Sequence, residues 1–337
     1  MLNFDEARFL RIQSGAIALA QPIDELIGRL LAADRENLFF LGTGGAAILM
    51  QPAAQLLQRD STFPTFWDLP AEFVLAGSRH LGPRSIVVIP SRSGTTKESV
   101  EALAYCKSRG ATVITLIGIE GTPLADGADH AFVNFAEDDT SSESFYLQSL
   151  LIALSVMKHR KECNDYDAVV AALGRLPTLL IDVKRAFEPK AAKLAQTIKD
   201  SSYHIISGAG STWPEAFYYG MCILEEMQWI RTRPVHASDF FHGTLELVEK
   251  GVSVILFKGE DACRPLVDRL EAFAPAYTDK LSVLDTAEMK LPGVPARVRA
   301  LISPVLLATV LERASAHLEV LRNHPLTTRR YYKKVAY

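Results

Sequence analysis

"SIVVIPSRSGTTKESVEALAYCKSRGATVITLIG", residues 85–118, decides the fold. Residues 85–89 form an apolar run of strand length, a Ser/Gly/Thr loop follows, and a helical pattern continues through Cys106 before a second apolar run at 112–118. Strand, helix and strand in that order predict a right-handed crossover joining parallel strands. Upstream, "NLFFLGTGGAA" (37–47) adds another unit, with an apolar run at Leu38–Leu41 and a glycine-rich turn at Gly42, Gly44 and Gly45. Residues 4–33 carry helical periodicity, and 143–159 read as a long apolar helix.

The second half repeats this plan. "SYHIISGAGSTWPEAFYYGMCILEEMQW" (202–229) is again an apolar strand, a glycine turn at Gly208 and Gly210, Ser211 and Thr212, then a helix. "GVSVILFKGEDACRPLVDRLEAFA" mirrors the second unit and "KLSVLDTA" the third. Two α/β domains, each with a parallel sheet flanked by helices, are expected, divided near 165–195. The intervening segment has a helical pattern, broken around Leu176 and Pro177.

Bulk properties narrow the function. Lys plus Arg number 36 against 39 Asp plus Glu, for a net charge of −3, which gives no electrostatic case for nucleic acid or an anionic membrane. With 48% hydrophobic and 22% charged residues, the 337-residue chain has the composition of a globular protein. "MLNFDEARFLRIQSGAIALA" lacks a basic region leading into an apolar run, so no signal peptide is expected. No apolar run reaches the length of a membrane span. Cys106, Cys163, Cys222 and Cys263 are scattered without metal-like spacing, and reduced cytoplasmic thiols are expected. Neither "GTGGAA" nor "GAGST" completes a dinucleotide fingerprint with an acid about 20 residues on.

The loop "PSRSGTTKES" is the most specific short motif. Ser91, Ser93, Thr95 and Thr96 place four hydroxyls around Gly94 where a strand feeds a helix. Free backbone N–H groups and the positive end of the helix dipole suit the phosphate of a small molecule. The bland alternative is a Ser/Thr-rich helix cap. No lysine sits where a nucleotide-triphosphate loop needs one, and no Mg²⁺-binding acids accompany the loop.

"LEEMQWIRTRPVHASDFFHG" (224–243) sets Glu225 and Glu226 in an apolar stretch, with His242 following Glu226 by 16 residues. A carboxylate among Leu224, Met227 and Trp229 would be desolvated and so a better base, and a histidine titrates near neutrality. The alternative is one salt-bridged helical acid followed by a turn. Glu225 reads as structural or solvated, since neighbouring helical positions point apart. His236 either lines a pocket or satisfies a loop hydrogen bond.

"GTGG", "SRSGTT", "SSESF", the Glu226–His242 spacing and the tail "HPLTTRRYYKKVAY" (324–337) together resemble the sugar isomerase (SIS) domain family in tandem, and most of all its fructosamine-6-phosphate and glucosamine-6-phosphate deglycases. The resemblance runs over roughly residues 30–325 plus the tail. It implies two flavodoxin-like SIS domains, at 34–165 and 195–323, after a helical segment at 1–33, with the tail 324–337 near the active site. It implies Glu226 as the base that moves a proton between C1 and C2, and His242 as the group acting on the ring oxygen, often from a neighbouring subunit. Gly42, Thr43, Gly44, Ser91, Arg92, Ser93, Thr95, Thr96, Ser141, Ser142, His236 and Lys334 are the implied substrate-binding set. His324, Arg329 and Arg330 make the tail polar enough to fold over such a site. Metal and organic cofactor are expected to be absent, and a homodimer or higher homo-oligomer with shared active sites is expected.

Two positions depart from the family's synthase branch, which has a serine at Gly44 and a lysine at Glu143. The expected activity is therefore cleavage of a 6-phosphorylated sugar–amino acid conjugate to glucose 6-phosphate and a free amino acid. A plain phosphosugar isomerase or amino-sugar-phosphate deaminase would use the same proton transfer. A non-catalytic phosphosugar sensor would not need the Glu226–His242 pair, and no helix-turn-helix or basic arm precedes the first domain.

Overall fold

The computed structural model describes residues 1–136, 142–332 and 334–336. The chain divides into two compact units, one of Glu6–Pro177 and one of Thr178–Tyr337 joined by Met1–Asp5.

The first unit is built on five parallel strands: β1 (Asn37–Leu41), β2 (Thr65–Asp68), β3 (Ser85–Ser91), β4 (Thr112–Ile117) and β5 (His130–Val133). Their order, β2-β1-β3-β4-β5, is the flavodoxin-like winding, which reverses direction between β1 and β3. Every residue of β1 and β3 is buried, as expected of parallel strands covered on both faces. Phe39, Leu41, Val87, Ile89 and Val113 pack with Leu103 and Cys106 from the helix Lys97–Ser108. Burial pushes the Cys106 thiol up to about 12, so it packs as an inert apolar group.

The expected helix near 143–159 spans Ser142–His159 and is buried from Ser142 through Met157. It is buried on nearly every face because the helices Glu6–Ala18, Ala20–Ala32 and Gln51–Asp60 all pack on it. Lys158 and His159 at its last turn both reach Asp24, at 2.6 and 3.0 Å.

The second unit repeats the winding with four parallel strands: β6 (His204–Gly208), β7 (Thr232–His236), β8 (Ser253–Lys258) and β9 (Lys280–Asp285), in the order β7-β6-β8-β9. Among the described residues it lacks a counterpart of β5. Ile205, Val254 and Leu256 form its core with Phe240 and with Val267 and Leu270 of the helix Arg264–Phe273. Met1–Asp5 is tied to this unit through a buried charge cluster. Glu188 accepts from Arg313 Nε at 2.8 Å and from the backbone N–H of Leu2 at 2.9 Å, while Arg313 also donates to the Leu2 carbonyl.

Two readings of local sequence need correction. Leu176 and Pro177 do not break a helix; they begin one, Leu176–Lys199, because proline in a first turn forfeits no helical hydrogen bond. Proline 189 sits inside the same helix. The strands β2, β5 and β7 escaped the apolar-run criterion because all three are short, partly exposed edge strands, and β7 carries Arg233 and Pro234.

Candidate active site

The loop after β3 lies at the carboxyl end of the sheet, beside the reversal of strand order, where doubly wound sheets open a crevice. Gly94 has a φ of 65°, and a Cβ there would fall 2.0 Å from Thr122 Oγ1, so the turn admits only glycine. Its N–H donates to Ser91 Oγ at 3.1 Å, and Ser91 Oγ lies 3.4 Å from Thr96 Oγ1. Thr95 Oγ1 donates to Ser93 Oγ at 3.1 Å, and the Arg92 carbonyl accepts from the Gly118 N–H. Thr96 takes the cap position of the helix Lys97–Ser108 in an extended conformation, yet its side chain makes no capping hydrogen bond. The hydroxyls are thus gathered on one another and not spent on the helix end, the reverse of what a simple cap would do.

The neighbouring strand β1 brings Gly42, Thr43 and Gly44 to the same end of the sheet. A Cβ on Gly42 would stand 2.7 Å from Ala47 Cα, and Gly44 has a φ of 57°. Thr43 Oγ1 is buried without a hydrogen-bond partner, a costly state for a hydroxyl unless a ligand uses it. Ser142 is buried at the start of its helix, with Glu143 1% exposed beside it. Ser141 lies outside the described residues.

The second unit carries the remaining candidates. Tyr219–Met227 is wound as a π-helix, a form frequent at functional sites, and Glu225 and Glu226 fall in its last turn. Leu224 and Met227 are buried as expected, but the Glu226 carboxylate does not share their apolar surroundings. Its side chain is 35% exposed and forms an ion pair with Arg329 Nε at 2.9 Å. The apolar desolvation foreseen for Glu226 is therefore replaced by a guanidinium. Glu225 accepts from Thr232 Oγ1 at 2.6 Å, a structural contact.

His242 is exposed and helps line a cavity of about 480 Å³ with Arg233, Val235, Asp239, Gly243, Thr244 and Leu247. Glu226 does not contribute to that cavity. His236 caps the short helix Ala237–Phe240, with Nδ1 accepting from the Ser238 N–H at 3.1 Å, the loop hydrogen bond that was one of its two readings. Burial pushes its imidazole below the ordinary range against the opposing charge of Asp239. Lys334 is exposed, with its backbone N–H on the Tyr331 carbonyl.

Two features had no local signal. Arg329 emerges as the partner of Glu226 from a tail over 100 residues away in sequence. The second glycine turn, at Gly208–Thr212, is filled from within: Asp261 Oδ2 accepts from the Ser211 N–H at 2.8 Å and Ser211 Oγ at 2.6 Å, and Oδ1 from the Cys263 N–H at 2.8 Å. A carboxylate of the chain sits where the first repeat presents hydroxyls. No helix among the described residues is long and apolar enough to cross a membrane.

The chain is similar to known proteins over most of its length. The SIS domain model matches residues 31–158, which hold both the Gly42–Gly44 turn and the hydroxyl loop. The chain is 29% identical over 305 residues to fructosamine deglycase FrlB of Bacillus subtilis (strain 168), covering 90% of this chain and 93% of that protein. It is 24% identical over 310 residues to fructoselysine 6-phosphate deglycase of Escherichia coli (strain K12), covering 92% and 89%. A solved structure from Salmonella typhimurium LT2, assigned as a phosphosugar isomerase, superimposes with a TM-score of 0.89 at 29% identity over 94% of this chain and 97% of that one. Residues 31–158 thus match the SIS domain model, and along most of its length the chain is similar to deglycases and to a phosphosugar isomerase structure.

Proposed function

We propose that the chain is a deglycase that cleaves a 6-phosphorylated sugar–amino acid conjugate of the fructosamine type. The observation that carries the phosphosugar part is the cluster of Ser91, Ser93, Thr95 and Thr96 hydroxyls, with unpartnered Thr43 Oγ1, at the reversal of the first sheet. The names of the *Bacillus* and *Escherichia* relatives support the deglycase part.

In this reading the phosphate docks on residues 91–96 and the Gly42–Gly44 turn, with Ser142 as a further substrate contact. His242 transfers the proton that opens the ring. Glu226 takes a proton from C1 of the open ketoamine, the C1–H electron pair forms the C1=C2 bond, and O2 takes a proton from water to give the enaminol. Returning the Glu226 proton to C2 with loss of the N–H proton to water yields the imine of glucose 6-phosphate, and water adds to C1 and expels the amino acid. No step is assigned to a metal or an organic cofactor. Glu226 pairs with the tail while His242 lines a separate cavity, and His242 is assigned to a neighbouring subunit's site in a cytoplasmic homodimer or higher homo-oligomer. The two SIS domains are assigned to 34–165 and 195–323.

A phosphosugar isomerase is the second reading, favoured by the assignment of the *Salmonella* neighbour. A coupled assay for glucose 6-phosphate separates the two. Purified protein is offered a panel of 6-phosphofructosyl and 6-phosphoglucosyl amino acids, beside Glu226→Gln and His242→Ala. Release by the native protein, lost in both variants, is the expected result. Turnover of bare phosphosugars alone would replace the deglycase with an isomerase.

A further inference from the structure

The tail sets a guanidinium against the candidate base. Arg329 Nε lies 2.9 Å from Glu226 Oε1, with the arginine side chain only 12% exposed. The tail does not depend on that pair for its position. Gln228 Nε2 donates to the His324 carbonyl at 2.7 Å, and the His324 ring stands edge-on to Trp229 with centroids 4.6 Å apart. The Arg330 guanidinium lies 4.1 Å over the Trp229 ring. Trp229 itself has a φ of 56°, a conformation a bulky residue keeps only where its surroundings fix it. Arg329 Nη1 is steadied by the Leu326 and Thr328 carbonyls, at 2.7 and 3.0 Å. Arg329 can therefore change its acidic partner without the tail letting go.

A change of partner is what the chemistry needs. A guanidinium against a carboxylate stabilises the charged form and weakens it as a base. Abstraction of the C1 proton by Glu226 is easier once another anion has drawn Arg329 away. In a sugar joined to an amino acid through its α-nitrogen, the carboxylate carbon is three bonds from C1, within about 4 Å. A substrate poised over Glu226 thus carries its own carboxylate into reach of Arg329, and the planar fork of arginine matches a carboxylate in two parallel hydrogen bonds.

We propose that Arg329 recognises the α-carboxylate of the conjugated amino acid, exchanging Glu226 for it as substrate binds, so that α-N-linked conjugates are the preferred class. This rests on the deglycase reading. The test compares 6-phosphofructosyl-glycine with its decarboxylated counterpart, 6-phosphofructosyl-methylamine, in native protein, Arg329→Gln and Arg329→Lys. Both variants are first checked by circular dichroism and thermal melting.

The native protein is expected to favour the glycine conjugate in kcat/KM by about ten- to a hundredfold, the worth of hydrogen bonds to a charged group. In Arg329→Gln that ratio should collapse toward one, mainly through a higher KM for the glycine conjugate, and Arg329→Lys should recover part of it. An unchanged ratio in a folded Arg329→Gln would overturn the proposal and leave the deglycase standing, as would equal use of both conjugates by native protein. Turnover of neither conjugate by native protein would overturn both.

Discussion

Replacing Glu188 by glutamine removes the acceptor of the charge cluster that ties Met1–Asp5 to the second unit. Arg313, fully buried, gives Glu188 two hydrogen bonds at 2.8 and 3.1 Å, and the Leu2 N–H and His317 Nε2 lie at 2.9 and 3.1 Å. Desolvation alone would raise the Glu188 carboxyl, but the hydrogen bonds and charge of Arg313, with those from Leu2 and His317, outweigh it and hold the group at about 2. Against an ordinary value of 4.5, that depression corresponds to about 3 kcal/mol. Breaking a buried ion pair by removing one partner costs about 3–5 kcal/mol, which agrees. Because the folded value lies below the unfolded one, the stabilisation is complete above pH 4.5 and is lost as pH falls toward about 2. The gap between native protein and Glu188→Gln should shrink from about 3 kcal/mol at pH 7 to about 2 kcal/mol at pH 3.5. Urea unfolding in a Trp67→Phe background would read it, since the remaining tryptophans, Trp213 and Trp229, both belong to this unit. A gap that stays the same at both pH values, or falls below about 0.5 kcal/mol at pH 7, would refute the assignment of the shift to this cluster.

His204 is fully buried at the start of β6, and burial pushes its imidazole down to about 4 from 6.5. The unfolded chain takes up that proton first, so stability falls as pH drops below about 6.5; relative to His204→Phe, native protein should lose about 2 kcal/mol between pH 7 and pH 5 in urea melts. Gly94→Ala forces a Cβ onto Thr122 in a left-handed backbone, and should lower stability by about 1–3 kcal/mol and abolish the thermal shift given by glucose 6-phosphate. Thr43→Val removes the unpartnered hydroxyl at little steric cost and should weaken glucose 6-phosphate binding about fivefold to tenfold by calorimetry, with the melting temperature of the free protein held or raised.

Much of the fold was legible because parallel strands covered on both faces must be continuous apolar runs, and β1, β3, β4, β6 and β8 are all such runs. Edge strands escape that rule, which is why β7, with its arginine and proline, read as part of a turn. The hydroxyl loop was legible for a similar reason: its geometry is made by consecutive residues, and one glycine with positive φ fixes it. What could not be read is whatever depends on a side chain arriving from far along the chain. Glu226 has apolar sequence neighbours, yet its charge environment is set by Arg329, and burial of Leu224 and Met227 turns the carboxylate away from them. The two glycine turns make the same point more sharply. "GTGG" and "GAGST" both follow a central strand and both open a helix, so local sequence offers either as an anion site. In the second, Asp261, 50 residues from Ser211, already takes the Ser211 N–H and hydroxyl that an anion would use. A bound phosphate there would meet that carboxylate at hydrogen-bonding distance, two anions competing for one set of donors. The repeat thus duplicates the winding, but Asp261 fills the turn of the second copy, which leaves the first copy as the place for the proposed phosphate site.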